Sequence, residues 1–380
     1  LAGAAAVYQL PVAFSHLSRV GHGGEVNGKH TPGILRKPIA MFRSGALASI
    51  SDTLRGWVVP FEVDTKLEQA RRIIEACSPD VVHAMRINFE GILAAGASPP
   101  GIPLIVSVWG NDFTLYASRY PMIASRAMEA LTRVSALHCD CRRDLRLAVE
   151  QWGFDPNKPA TVLPGAGGVN LKLFYPDEAE TQWRQRLEIN EDSRVVINPR
   201  GFRAYVRTEE FVKSIPLVVK RFPDAVFVCT GLKGNPSVEK LANKLGIERN
   251  VRLLPPVSRE EMAELFRLAE ISVSPSFHDG TPNTLLEAMA CGCFPIAGDI
   301  ESVREWIRHD DNGLLCEPHD PHSIAEAISR SLRDEELRDR ARSRNLQLVE
   351  ARADSSRVMP AAAQFYSDVL GKSKVARYVA

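Results

Sequence analysis

Little in this chain is one-sided. Its 47 lysines and arginines face 46 aspartates and glutamates, for a net charge of +1. The balance holds along the chain, with 18 basic and 16 acidic residues over positions 1–178 and 29 and 30 beyond. A nucleic-acid reader concentrates basic charge on one face or domain, so the composition argues against one. No apolar run approaches the ~18 residues that a membrane-crossing helix needs. The seven cysteines are an odd number whose closest spacings are Cys139-x-Cys141 and Cys291-x-Cys293. Neither matches a zinc knuckle or a redox pair, so ordinary thiols of a reduced compartment are expected. No internal repeat, low-complexity segment or cluster of His, Cys and Asp at ligand spacing is evident, and no metal is expected. The apolar start, LAGAAAVYQLPVAF, has neither an initiator Met nor a charged leader, and reads as part of a longer chain.

What is present is enough apolar sequence, 45% of 380 residues, to build full cores, and at about 100 to 200 residues per domain the expected count is two. From Pro79 onward short β-branched runs alternate with helical stretches, the pattern of parallel sheets covered by helices. The expected strands are Val81–His83, Leu104–Val108, Ala136–Cys139, Thr161–Leu163, Arg194–Asn198, Ala225–Thr230, Val251–Leu254, Ile271–Pro275 and Cys293–Ala297. Pro164–Glu180, rich in Gly and Pro, suits an interdomain linker. The expected division is therefore residues 1–177, 178–358, and a last helical piece, 359–380, returning to the first domain. The Gly-rich stretch VGHGGEVNGKHTPG lacks the strand before it that a phosphate loop requires, and reads as a surface loop.

The most informative segment runs from Ser272 to Asp299 as strand, loop, helix, strand. Thr281 is a good N-cap, Pro282 a good first helical residue and Gly292 a good C′ residue, which predicts a helix over Pro282–Cys291. The first-turn amides at Asn283 and Thr284 then face the carboxyl edge of the sheet, where open α/β sheets bind ligands and a helix N-terminus favours an anion. Apolar residues surround this helix except at Glu287, whose burial without a partner would be costly; it either faces a polar ligand or is satisfied within the protein. Asp279 in the preceding loop is either its companion or a turn residue. A phosphate at the amides with carboxylates on either side describes a pocket for a nucleotide sugar.

HDGTPNTLLEAMACGCFPIAGD resembles the donor-site signature of family-4 retaining glycosyltransferases, which have the GT-B fold: two Rossmann-like doubly wound α/β domains with parallel sheets facing across a cleft. PGAGGVNLKLFYP is similar to that family's interdomain segment, and DNGLLCEPHDPHSIAEAI to the segment after its signature. The resemblance implies that Asp279 contacts the donor sugar and Glu287 the ribose, while Gly280, Thr281, Pro282, Asn283 and Thr284 surround the distal phosphate. Asp279 is one methylene shorter than the family's usual Glu. In NPRGFRAYVRT, Arg200 matches the family's arginine, but Tyr205 stands where lysine is expected, leaving Arg203 or Arg207 to supply the second cation or to serve as loop charge. Gly231 is placed beside the donor. On the acceptor side, WGND carries Asn111 and Asp112 after a central strand, with Trp109 where the family has His; Asp112 binds an acceptor hydroxyl or caps the next helix. His83 is a buried histidine or a catalytic one.

The resemblance thus implies transfer of a sugar from a nucleoside diphosphate sugar to an acceptor hydroxyl, with retention, without cofactor and, as Asp-x-Asp is absent, without metal. Arg200 and Asp279 are the catalytic candidates. The acceptor, a saccharide, a lipid-linked molecule or a small molecule, is not readable. The alternatives are an epimerase on the same fold or a non-catalytic nucleotide-sugar binder. Arg119, Arg126, Arg133, Arg142, Arg143 and Arg146 form a solvated face or, as the less favoured alternative, one for an anionic membrane; the expected place is the cytoplasm, with peripheral contact to a membrane's inner face only under that alternative. The first domain shows no opening strand and glycine turn, which agrees with a chain short by about 30 to 40 residues, the size of one strand-helix step.

Overall fold

The computed structural model describes residues 63–117, 120–177 and 182–379. The glycine-rich stretch, the expected missing opening unit and Arg119 lie outside them. By their contacts the described residues form two compact units. The first holds the residues up to Cys139, Asp144–Thr161 and the chain from Tyr366; the second holds Asp140–Arg143 and Val162–Phe365.

The first unit is built on a four-stranded sheet in sequential order, β1 (Val82–Ala84), β2 (Leu104–Val108), β3 (Ala136–Cys139) and β4 (Ala160–Val162). Pairing is parallel between β1 and β2 and between β2 and β3. All five residues of β2 are buried, as expected of a parallel strand covered on both faces. The helix Pro121–Arg133 turns Ile123, Ala127, Ala130 and Leu131 to the core, and Phe113 stacks on Trp152 with ring centroids 5.0 Å apart.

The second unit holds a six-stranded sheet of β5 (Val195–Asn198), β6 (Val226–Cys229), β7 (Val251–Leu253), β8 (Ile271–Ser274), β9 (Phe294–Gly298) and β10 (Leu314–Cys316). Its order is β10-β9-β8-β5-β6-β7, with parallel pairing throughout. Both faces are apolar. Val195 and Ile197 join one core with Val226, Val228 and Phe266, while Val196 joins the other with Phe227, Phe211 and Ile324. β10 was not among the expected strands.

The supposed linker is largely packed structure. Val169 donates its amide to the Ala353 carbonyl at 2.7 Å, and Phe174 is fully buried beside Phe266. The chain therefore enters the second unit at Val162, earlier than the expected division near Asp177. The last helix begins at Ser355 and runs to Val379, four residues earlier than expected at its start. All nine expected strands are present, with ends shifted by at most one residue, as hydrogen-bond assignment at element ends allows.

Candidate functional site

The sheet of the second unit fixes where a ligand can go. Chain connections wind one way from β5 to β6 and β7 and the other way from β8 to β10, so the order reverses between β5 and β8. Loops leaving the carboxyl ends of those two strands part at that point and leave a crevice, the usual ligand position in such sheets. They are Pro199–Arg207 and Pro275–Pro282. Arg200, Arg203, Arg207, Asp279, Gly280, Thr281 and Pro282 lie on them.

Arg200 and Asp279 meet directly. The guanidinium Nη2 donates to Asp279 Oδ2 at 2.6 Å and Nη1 to Thr284 Oγ1 at 3.3 Å; the paired side chains are 13% and 15% exposed. These contacts use two of the five guanidinium donors, which leaves a fork able to take a phosphate. Gly201 and Gly231 lie back to back behind this arginine, at φ 33° and 69°. A Cβ on Gly231 would stand 3.5 Å from the Gly201 Cα, an ordinary contact, so it is the left-handed φ that favours glycine there.

The two candidate replacements for lysine separate. Arg203 donates to the Tyr205 hydroxyl at 2.8 Å. Arg207, left-handed at φ 54°, lies 4.5 Å over the Phe277 ring and pairs with Glu210 at 3.4 Å. Its Nε is buried with no hydrogen-bond partner, an expensive state for a charged donor. The Phe277 amide in turn donates to the Tyr205 carbonyl at 3.0 Å, so the unexpected tyrosine holds the loop through its backbone. Between Phe277 and Asp279, burial depresses the pKa of His278, with the charges of Arg143 and Arg207 adding to the effect. The loop that carries Asp279 is therefore ringed by positive charge from Arg143, Arg200 and Arg207.

The helix after the loop spans Asn283–Ala290 with Pro282 as its N-cap. The expected cap at Thr281 is corrected: its hydroxyl donates to the Asp140 carbonyl at 2.5 Å and accepts from Trp306 Nε1 at 3.1 Å. Tertiary partners outcompete the local cap because the residue is buried, at 5% exposed. Asn283 and Thr284 do open the helix, where amides have no intrahelical acceptor. Gly292 ends it at φ 89° as expected. Gly280 is glycine for a steric reason, since a Cβ there would lie 2.1 Å from an Asp140 carboxylate oxygen.

Glu287 sits at 12% side-chain exposure and accepts from Arg259 Nη2 at 3.1 Å. Burial pushes its pKa up to about 7, and Arg259 offsets only part of that. Arg259 is the first residue of a helix fixed by a capping box between Ser258 and Glu261. Nothing in the spacing of the sequence joins residues 259 and 287; the pair exists because neighbouring helices pack on one face of the sheet.

Asp112 and His83, candidates of the first unit, are internally satisfied. Asp112 is fully buried. Its Oδ1 accepts from Arg86 Nε and Nη2 at 3.0 and 2.7 Å, and its Oδ2 from the Trp109 amide at 3.0 Å. It ties down its own turn, and burial still raises its pKa to about 6. The neighbouring Asn111 keeps a buried Oδ1 without a partner. His83 hydrogen-bonds Ser107 Oγ through Nε2 at 2.8 Å and the Tyr366 hydroxyl through Nδ1. Burial lowers its pKa to about 4, so it is neutral at pH 7.

Of the arginines proposed as a surface face, Arg126 pairs with Asp64 and Arg146 with Glu150, while Arg143 is buried at 7% exposure. No helix among the described residues is long and apolar enough to cross a membrane. One group of potential metal ligands converges among the described residues, Asp140, Cys141 and Asp144, with donor atoms within 4.8 Å of one another. All three are buried and already have partners within the protein.

Comparison with known proteins agrees with the geometry. Residues 179–347 match the family model "Glycosyl transferases group 1" and residues 39–165 the model "Glycosyl transferase 4-like domain". A D-inositol 3-phosphate glycosyltransferase of Thermomonospora curvata is 29% identical over 272 residues, 68% of this chain and 58% of that protein. The chain spans about half the length of the first curated relatives it matches, 52% and 58% for two of them. Among solved structures, sucrose-phosphate synthase from Thermosynechococcus elongatus aligns with a TM-score of 0.69 at 16% identity, covering 82% of this chain and 79% of that one. Anabaena HepE, solved with UDP and glucose, aligns with 0.68 at 17% identity, covering 86% and 90%. The chain thus carries a glycosyl transferase 4-like domain followed by a glycosyl transferases group 1 domain, and its fold is that of the GT-B architecture.

Proposed function

We propose that this protein transfers a sugar from a nucleoside diphosphate sugar to an acceptor hydroxyl, and that the second unit binds the donor. The observation that carries this reading is the Arg200–Asp279–Thr284 contact at the switch point, with Arg207 and the first amides of the helix beside it. Breaking the bond from the anomeric carbon to the diphosphate oxygen builds negative charge on the leaving group. Fixed cations and amides aimed at that charge are usually the largest catalytic contribution. In this reading Arg200, Arg207 and the amides of Asn283 and Thr284 hold the diphosphate. Asp279 accepts from sugar hydroxyls and Glu287 from those of the ribose. Arg207 takes the place of the absent lysine because it lies against the donor loop, whereas Arg203 is engaged with Tyr205.

Retention and independence of metal and cofactor belong to the same proposal, as does a cytoplasmic location with peripheral membrane contact. HepE, solved with UDP-glucose, and the inositol phosphate relatives supply the first compounds to try, UDP-sugars as donors and D-inositol 3-phosphate as acceptor. The test measures release of nucleoside diphosphate from a panel of UDP-, GDP- and ADP-sugars with and without acceptor. Acceptor-dependent release with a new glycoside supports transfer. Epimerised sugar without release points to the epimerase, and binding without turnover to a non-catalytic nucleotide-sugar protein.

A further inference from the structure

The loop that presents Asp279 is gripped from behind by residues that the sequence shows only as a run of charges. Asp140–Arg143 cluster with the second unit and touch the loop at three successive residues. The Asp140 carboxylate lies against Gly280, and the Asp140 carbonyl accepts from the Thr281 hydroxyl. The amides of Arg142 and Arg143 donate to the two carboxylate oxygens of Glu305, each at 3.0 Å, which fixes the segment against the neighbouring helix. From that anchor Arg143 sends Nη1 to the backbone carbonyl of Asp279 at 2.8 Å and to Ser302 Oγ at 3.1 Å. Ser302 Oγ donates to the same carbonyl at 2.7 Å.

A guanidinium is costly to bury, yet this one is 7% exposed and reaches a backbone oxygen of the loop. The peptide it holds is the one that sets the direction of the Asp279 side chain, whose carboxylate stands 2.6 Å from Arg200. Two charge-assisted or hydroxyl donors on one carbonyl leave that peptide little freedom to turn.

We propose that Arg143 is a positioning residue of the donor site: with Ser302 it clamps the Asp279 carbonyl and so aims the Asp279 carboxylate at the donor sugar. The inference rests on the reading of Asp279 as the sugar contact. A role in packing alone would weaken the nucleotide and sugar parts of the donor alike, whereas aiming affects the sugar part only.

Calorimetry separates these. The full chain and its Arg143→Lys, Ser302→Ala and Asp279→Asn variants are titrated with UDP and UDP-glucose, GDP and GDP-mannose, and ADP and ADP-glucose. The quantity read is the ratio of affinities within the pair that the parent binds. Arg143→Lys and Ser302→Ala should each lower the sugar's share of that ratio by about three- to tenfold, the scale of one lost hydrogen bond, with diphosphate affinity kept. Adding Asp279→Asn to Arg143→Lys should cost no more than Asp279→Asn alone, because both act through one carboxylate. Ser302→Ala buries no new charge and carries the test should Arg143→Lys not fold. An unchanged ratio in folded variants, or an equal loss for diphosphate and sugar nucleotide, overturns the role of Arg143 and leaves the donor reading standing. A parent that binds none of the six ligands overturns the donor reading, and the role of Arg143 with it.

Discussion

Asp112 and Asp279 are both aspartates paired with an arginine, yet they sit in opposite circumstances. Asp112 of the first unit is closed off: fully buried, with both oxygens occupied by Arg86 and the Trp109 amide. Asp279 of the second unit keeps 15% of its side chain exposed, and its partner Arg200 has donors to spare. The same chemistry therefore does different work. Where polar groups saturate one another they hold a turn; where hydrogen-bonding capacity is left over, at the end of two diverging strands, they can hold a ligand. Arg207 makes the point from the donor's side, since its buried Nε is unpartnered.

The largest expected effect tests the open pair. Arg200→Ala should lower kcat by roughly 10²- to 10³-fold, the loss seen when one transition-state donor is removed. Arg200→Lys should recover it in part, since an ammonium lacks the planar fork. Steady-state kinetics on the best donor decides; an undiminished kcat in Arg200→Ala would assign the role to Arg207.

The closed pair should respond in stability instead. Asp112→Ala leaves the part-exposed Arg86 without its carboxylate and should cost about 2 kcal/mol, the scale of a hydrogen bond to a charged group. Nucleoside diphosphate affinity should not change. Urea denaturation alongside calorimetry checks both, and loss of binding with stability intact would erase the distinction between the two aspartates.

Glu287 lies between these extremes, buried but paired only with Arg259. Glu287→Ala should weaken nucleoside diphosphate binding by about tenfold, a charged hydrogen bond's worth. Its raised pKa also gives a pH dependence. Below about 7 the carboxyl takes up its proton and becomes a poorer acceptor for ribose hydroxyls, so affinity should rise through that value as pH increases. Stability moves the other way. The folded state holds the proton more tightly than the unfolded chain, so this contribution is present below the ordinary value of 4.5 and is lost as pH rises to about 7. In Glu287→Gln both slopes should vanish, which titrations from pH 5 to 8.5 would check.

The smallest effect is expected at His83. Tyr366→Phe removes one hydrogen bond to a neutral imidazole and should cost about 1 kcal/mol of stability without altering kcat. A changed pH profile of kcat in that variant would give His83 a part in the chemistry.

Much of this was readable before the fold. The alternation of β-branched runs and helices located both sheets, because parallel strands buried on two faces read as near-continuous apolar runs, as Val195, Val196 and Ile197 do without any help from context. Asp279 and Glu287 stood out because a charged residue inside an apolar run, or beside a helix start, calls for a partner, and Arg200 because its segment resembles that of the family. The local rule failed at Thr281, a good cap by composition whose hydroxyl went to Asp140 and Trp306. It also failed at the segment around Phe174, where glycine and proline suggested a linker and the chain instead continues into the core.

By itself the sequence determined the alternating α/β pattern and the two-domain count, since these follow from hydrophobic period and local turn chemistry, while its resemblance to a family singled out Arg200, Asp279 and Glu287 as donor candidates. The tertiary structure alone decided that the strand order reverses between β5 and β8, and hence that Arg200 and Asp279, 79 residues apart, stand 2.6 Å from each other. It alone separated Arg207 from Arg203, gave Glu287 its partner Arg259, and turned Arg143 inward from a run of arginines that would otherwise be solvated. Which of several equal charges is buried depends on the surfaces that meet around it, and those are set by contacts between residues far apart in the chain.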